Sequence, residues 1–319
     1  MIVHKNDTSL LAETLASLQI QNREAYDWPI YILDDYSHPK QLERLRELAK
    51  DFNARVISNE SERGKKSALQ WFLPQLKEDY IIQVDADCRL GPSFLKLMAA
   101  AISQKPALVV AQVRMKPNAN IWSRLAALDH LSLQLVSFSA LAQQKVIMAA
   151  GAAMAYQPRL FKDYMKVGEK WSGGEDTFVA QAMHNDGLEV LAQPYAYVET
   201  DAPANFKHFI KQRLRWGAKS VDYPKAIAKF LAFTVALINL SLVIGVLASP
   251  WFSPPPFFWI FWLYKMFGDA LLLHRYSRFY GGAHLLKSYL FLALLYPFYI
   301  GLVVCLIPFA KKAKWQLSR

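Results

Sequence analysis

Beyond residue 228 the chain turns apolar three times, over Phe230–Ser249, Pro256–Leu273 and Tyr289–Ala310. About 20 apolar residues carry a helix across the hydrocarbon core of a bilayer, and soluble core helices rarely stay this apolar for this long. Residues 229–319 are therefore expected to form a multi-pass membrane region, with the lipid bilayer as a partner of the fold. The middle segment is the shortest and holds Lys265 and Asp269, while the third contains Pro297 and Pro308.

Charge supports this division. The chain carries a net charge of +11, yet its last 91 residues hold a single acid, Asp269. The excess sits beside apolar segments, where basic residues flank membranes. A nucleic-acid binder would concentrate that charge on its folded domain, so no nucleic-acid partner is expected. The loop HRYSRFYGGAHLLK and the tail KKAKWQLSR are both basic. The positive-inside rule draws both to the cytosol, which three crossings from a cytosolic domain cannot deliver. One segment is expected to be re-entrant or interfacial: the middle one if the tail is inside, the third as the alternative. Cys88 and Cys305 lie far apart and suggest no disulfide framework, which fits a reducing, cytosol-facing domain. The chain opens on MIVHKND, a strand already under way with no signal peptide; whether a further segment precedes it stays open.

Up to residue 201 the pattern alternates. Apolar runs at Ile30–Leu33, Ala54–Ile57, Tyr80–Val84 and Ala107–Val113 read as strands. Helical stretches lie among them at Ser9–Gln21, Pro39–Lys50, Lys65–Leu73 and Pro92–Ser103. Such alternation predicts an α/β domain with a mostly parallel sheet covered on both faces. These sheets bind ligands at the carboxyl ends of their strands, and Asp34-Asp35 and Asp85/Asp87 both stand there. Residues 202–228 are basic and amphipathic and predict a helix lying at a membrane interface.

Four short motifs follow in order: YILDDYS with Asp34 and Asp35, VDADC with Asp85 and Asp87, WSGGEDTF with Glu175 and Asp176, and QRLRW with Gln212, Arg215 and Trp216. The last three residues, at i, i+3 and i+4, share one helical face. Each motif has an ordinary reading. Asp-Asp caps turns, acids at a helix start oppose the macrodipole, and Trp beside Arg anchors to lipid. Their combination, on an α/β domain followed by membrane segments, is far more specific.

On these motifs the sequence resembles the family 2 glycosyltransferases, inverting enzymes of the GT-A fold that include cellulose synthase, hyaluronan synthase and ceramide glucosyltransferase. The resemblance runs from the first residues to about Trp216. It implies a GT-A domain over 1–201, an interfacial segment over 202–228 and the membrane region over 229–319. It implies a UDP- or GDP-sugar donor, with Asn6, Asp34 and Asp35 beside the nucleotide and Lys65 approaching the diphosphate. Asp85 and Asp87 match the DxD pair that holds Mg²⁺ or Mn²⁺. Asp176 matches the catalytic base with Glu175 as its partner, and Gln212, Arg215 and Trp216 match the QxxRW motif over the donor and acceptor. One departure stands in AAGAAMAY, where Ala153 replaces the usual Asn of a Gly-x-Asn-x segment.

The chemistry agrees. A hard divalent cation held by one or two carboxylates leaves positions for phosphate oxygens. Inversion needs one base opposite the leaving group. The expected function is sugar transfer to a membrane lipid or lipid-linked acceptor. A processive polysaccharide synthase subunit, acting on a glycan acceptor, is the alternative. A non-catalytic membrane-bound binding protein of transferase-like fold is the third reading, and intact acids in the motifs argue against it.

Overall fold

The computed structural model describes residues 1–21, 28–171 and 173–310. Two compact units emerge: residues 1–114 with 137–201, and residues 115–136 with the described residues from Ala202 onward.

The first unit is built on strands β1 (Ile2–His4), β2 (Ile30–Asp34), β3 (Ala54–Ser58) and β4 (Ile81–Asp85), interleaved with helices α1 (Thr8–Gln19), α2 (Pro39–Asp51) and α3 (Lys65–Phe72). Then come β5 (Cys88–Leu90), α4 (Phe94–Ile102) and β6 (Leu108–Lys116). Helix α5 (Ile121–Leu141) follows, then β7 (Ala153–Tyr156), α6 (Pro158–Tyr164), α7 (Glu175–Asn185) and β8 (Val190–Asp201). The sheet order is β3-β2-β1-β4-β7-β6-β8-β5.

Half the sheet is parallel. β1 pairs in parallel with β2 and β4, and β2 with β3. Beyond β4 the pairs β4–β7, β6–β7 and β5–β8 are antiparallel. Strands β1, β2 and β4 of the parallel half are largely buried, while β3 at its edge is only partly so, with Arg55 exposed. Ile2, Ile30 and Ile32 pack with Leu11 and Leu15 of α1 and with Leu45 and Ala49 of α2. A second cluster joins Val84, Cys88, Phe94 and Met98 to Val109, Ala111, Ala153 and Val198.

Register levels the strand ends. Ile2 pairs with both Ile32 and Val84, so the ends of β2 and β4 flank the end of β1. Asp34 and Asp85 therefore finish at one edge. Asp87 follows in the two-residue turn Ala86–Asp87, before the chain re-enters the sheet as β5. The hydroxyl of Thr14, on α1, donates to the Ala86 carbonyl at 2.9 Å and ties this turn to the helix.

The second unit contains α8 (Phe206–Gly217), α9 (Ala226–Ala248), α10 (Pro256–Tyr280) and α11 (Tyr289–Ala310). Asn205 caps α8 by accepting from the His208 amide. The interfacial helix expected over 202–228 is thus confined to Phe206–Gly217, followed by a 3-10 turn at Ser220–Asp222. Three stretches, α9, α10 and Ala283–Phe309, are long and apolar enough to cross a membrane. Helix α10 continues past Leu273 through HRYSRFY, so the middle segment is not short. Its two charges sit one turn apart and pair, Lys265 donating to Asp269 at 2.6 Å. Both prolines of the third segment lie inside α11, which stays one helix. Neither Cys88 nor Cys305 is in a disulfide among the described residues.

Candidate active site

The Asp-Asp pair ending β2 shapes its surroundings. Asp34 is buried, meets the His4 ring at 3.4 Å and accepts from the Ser37 amide at 3.1 Å. Burial pushes its carboxyl up, but the hydrogen bonds from His4 and Ser37 outweigh this and hold it below the ordinary carboxylate range. Asp35 accepts from the Asn59 side chain at 3.0 Å and from the Gly64 amide at 2.9 and 3.1 Å. Lys5 lies 3.9 Å away. Gly64 has φ +128°, a conformation side chains rarely adopt, and it opens α3. Asp35 thereby fixes the backbone that delivers Lys65. Asn6, itself at φ 63°, joins the exit of β1 to the loop before α2. Its amide donates to Ser37 and its side-chain oxygen accepts from the His38 amide, both at 2.8 Å.

Lys65 reaches across to the DxD strand and donates to Asp85 Oδ1 at 2.5 Å. Burial pulls its ammonium down, but the negative charges of Asp85, Glu175 and Asp176 outweigh that and hold it firmly protonated. The structure thus brings the second and third acidic motifs around one lysine. Lys66 is buried and donates to the Gly168 carbonyl at 3.1 Å. Burial lowers its pKa, partly offset by Glu175 and Glu169.

Glu175 and Asp176 open α7, and only Glu175 is buried. Asp176 stays partly open and is held by backbone. Its Oδ2 accepts from the Gly151 amide and its Oδ1 from the Thr177 amide, each at 2.7 Å. The Gly151 carbonyl in turn accepts from Gln83 at 3.0 Å, and Gln83 accepts from Tyr156 at 2.6 Å. A Cβ on Gly151 would stand 3.0 Å from Asp176 Oδ2. The residue that meets the candidate base is therefore Gly151, through its amide. Ala153, at the expected Asn position, is fully buried in the apolar cluster.

Three carboxylates, Asp85, Glu175 and Asp176, surround Lys65, so this region carries excess negative charge. Two carboxylates across a short turn suit a hard cation that completes its shell with substrate oxygens and water. Among the described residues no group of three or more His, Cys, Asp or Glu side chains converges as a closed metal cage. Asp85 and Asp87 are carboxylates of the type that an open Mg²⁺ or Mn²⁺ site uses.

In the second unit, Gln212, Arg215 and Trp216 lie along α8, each partly exposed. The buried residue of this motif is Arg213. It pairs with Asp129 at 2.7 Å and donates to the Ala126 carbonyl at 2.9 Å and to Gln212 at 3.2 Å. Its guanidinium carbon lies 4.5 Å from the Trp216 ring centroid. The His130 ring centroid stands 5.9 Å from that of Trp216, and Tyr299 donates to Asp129 at 2.6 Å. Sequence reasoning missed Arg213, Asp129 and Tyr299. One signal was available: Phe209, Ile210 and Leu214 form the apolar face of α8, and position 213 belongs to it.

Residues 1–165 match Glycosyl transferase family 2. The chain belongs to this family of glycosyltransferases. It is 23% identical over 217 residues to the poly-beta-1,6-N-acetyl-D-glucosamine synthase of Staphylococcus epidermidis, covering 66% of this chain and 51% of the relative. The chain thus spans about half the length of the curated relatives it matches. Its fold is similar to that of a mannosyltransferase from Pyrobaculum calidifontis, solved in complex with GDP-Man and Mn2+. That alignment has a TM-score of 0.59 and 16% identity and covers 93% of this chain and 85% of the other. The architecture is a mixed α/β, GT-A-like domain followed by helices able to span a membrane.

Proposed function

We propose that this chain is a membrane-bound inverting glycosyltransferase that moves a sugar from a UDP- or GDP-sugar to a membrane lipid or lipid-linked acceptor. The observation that carries the reading is the cluster of Lys65 with Asp85, Glu175 and Asp176 at the carboxyl edge of the sheet. It supplies a cationic donor, a carboxylate pair and a backbone-fixed base.

In this account residues 1–201 bind the donor, 202–228 form the interfacial segment and 229–319 hold the enzyme in the membrane. Asn6, Asp34 and Asp35 shape the nucleotide pocket. Lys65 donates to the diphosphate, and the family resemblance gives Gln212 and Arg215 of the QxxRW motif a part in donor binding. Asp85 and Asp87 would hold Mg²⁺ or Mn²⁺, which neutralises charge on the diphosphate. Asp176 takes the proton of the acceptor hydroxyl as its oxygen attacks the anomeric carbon. The bond to the diphosphate oxygen breaks, the nucleoside diphosphate leaves, and the configuration inverts. Glu175, buried beside both lysines, balances their charge and orients Lys65. Trp216 offers an aromatic wall to the acceptor. The basic membrane flanks favour a catalytic unit facing the cytosol.

One observation favours a second reading. The Staphylococcus epidermidis relative is a polysaccharide synthase, so a glycan acceptor and a role as synthase subunit form the alternative. Three stretches among the described residues reach bilayer length, and the lipid acceptor stays the first reading.

The test is turnover of the purified full chain with labelled UDP- and GDP-sugars, before and after EDTA. Donor consumption should require added Mg²⁺ or Mn²⁺. Full turnover after chelation would remove the metal from Asp85 and Asp87. No consumption of any donor, with lipid and glycan acceptors present, would return the chain to a binding role.

A further inference from the structure

The second unit contains a cavity of about 480 Å³ far in sequence from every motif above. It forms where the end of β6, the loop after it and the first turn of α5 meet the 3-10 turn Ala283–Ser288 between α10 and α11. Lys116, Arg124, His284 and Lys287 line it, with Asn118 and Ser288, and no lining residue is acidic. Like charges gathered at one concavity repel one another, and an anion seated among them reverses that cost.

The cavity is built rather than incidental to a loose loop. Leu285 is buried beneath it. Gly282, at φ +96°, packs so closely on Leu131 of α5 that a Cβ would lie 3.3 Å from its methyl groups. Arg124 contacts the Ser288 hydroxyl at 3.5 Å. The Trp122 amide in the first turn of α5 is already engaged by the Asn120 side chain, and the Asn118 amide in the loop before it by the Ser123 hydroxyl. The cationic side chains therefore carry any recognition. Their position is equally specific: the turn opens the bilayer-length stretch Ala283–Phe309, just after α10 ends at Tyr280, and lipid head groups lie at the ends of such stretches.

We propose that this cavity binds a phosphate-bearing anion presented by a membrane lipid, an anionic phospholipid head group. Arg124 matches the paired oxygens of a phosphate. Lys116 and Lys287 supply the remaining charge, and Asn118 and Ser288 supply neutral donors. The volume falls within the range of small-molecule sites, about 300–1,000 Å³. This inference rests on membrane embedding and not on the sugar-transfer reading.

The experiment uses the full chain in neutral-detergent micelles, with retained lipid counted by native mass spectrometry. Phosphatidylglycerol, phosphatidylcholine and millimolar inorganic phosphate are the three probes. Phosphatidylglycerol should be held one-to-one, phosphatidylcholine not, and inorganic phosphate should fail to displace the lipid. The double variant Arg124→Gln with Lys287→Gln should weaken phosphatidylglycerol binding roughly 30-fold, at about tenfold or less per charge. The pair Arg124→Lys with Lys287→Arg keeps the charge and should retain the lipid, which separates charge loss from misfolding. An equal loss from Lys40→Gln with Lys50→Gln, on α2, would overturn the proposal. Equal retention of phosphatidylcholine, or unchanged binding in the Arg124/Lys287 pair, would also overturn it. Saturation by inorganic phosphate with no lipid retained would assign the cavity to free phosphate and overturn the lipid source.

Discussion

Two amides hold Asp176, the proposed base. A carboxylate that must accept a proton from an attacking hydroxyl has to stand still, and Gly151 and Thr177 hold one oxygen each. Gly151 shows no left-handed φ, so space and not backbone freedom demands glycine there. Gly151→Ala should therefore fold, push the carboxylate aside and lower kcat by roughly 10–100-fold through misplacement of the base. Donor binding, measured by calorimetry, should hardly change. Unaltered kcat in a folded Gly151→Ala protein would mean that the carboxylate's placement is not critical. Asp34 supports a second prediction at this scale. Its folded pKa lies below its unfolded value, so its stabilisation is present above the ordinary carboxylate range and fades as pH falls through the folded pKa. Thermal unfolding should therefore become acid-sensitive below about pH 4, and Asp34→Asn should flatten that slope. Parallel pH curves for the two proteins would contradict it.

Among the elements, the parallel strands were the most legible. β1 to β4 are short, mostly apolar runs bounded by polar turns, interrupted by Arg55 in β3 and Gln83 in β4, and strands of a parallel sheet read that way. The acids at their ends were legible for the same reason, because the apolar run stops at Asp34 and at Asp85. Legibility failed where pattern and burial part. β7 is AMAY, four residues whose burial is complete but whose sequence lacks β-branched residues. β8 is long but only partly buried and contains Pro194. Helix α5 mixes Asp129, His130 and Gln134 into its buried surface, so its periodicity was blurred. The polar residues that hid α5 form its tie to α8 and α11. Asp129 there receives Arg213 and Tyr299 with both charged side chains nearly buried. Removing one partner of a buried pair costs about 3–5 kcal/mol, so Asp129→Ala should lower thermal stability by that order. Arg213→Ala added to it should cost far less than the sum of the two single changes. Additive losses would show that the pair does not act as a unit.

For the whole molecule, composition announced the membrane before any element was placed. The described part of the second unit exposes Phe230, Phe233, Tyr264 and Phe267, among other large apolar residues, far beyond the patch size of an ordinary soluble surface. The chain thus combines a domain whose acids gather around Lys65 with a unit whose helices are long and apolar enough to sit in a bilayer, an arrangement that suits the proposed transfer from a soluble donor to a membrane acceptor. The central claim is inversion driven by Asp176, and one measurement tests it most directly. The full chain, reconstituted in a bilayer, is supplied with the nucleotide sugar it consumes, and the anomeric configuration of the product is followed by NMR beside the transfer rate of Asp176→Asn. The account predicts a product inverted relative to the donor, and a loss of about 10²–10⁴-fold in the variant with donor affinity kept. A product of retained configuration, or wild-type transfer by folded Asp176→Asn, would contradict it.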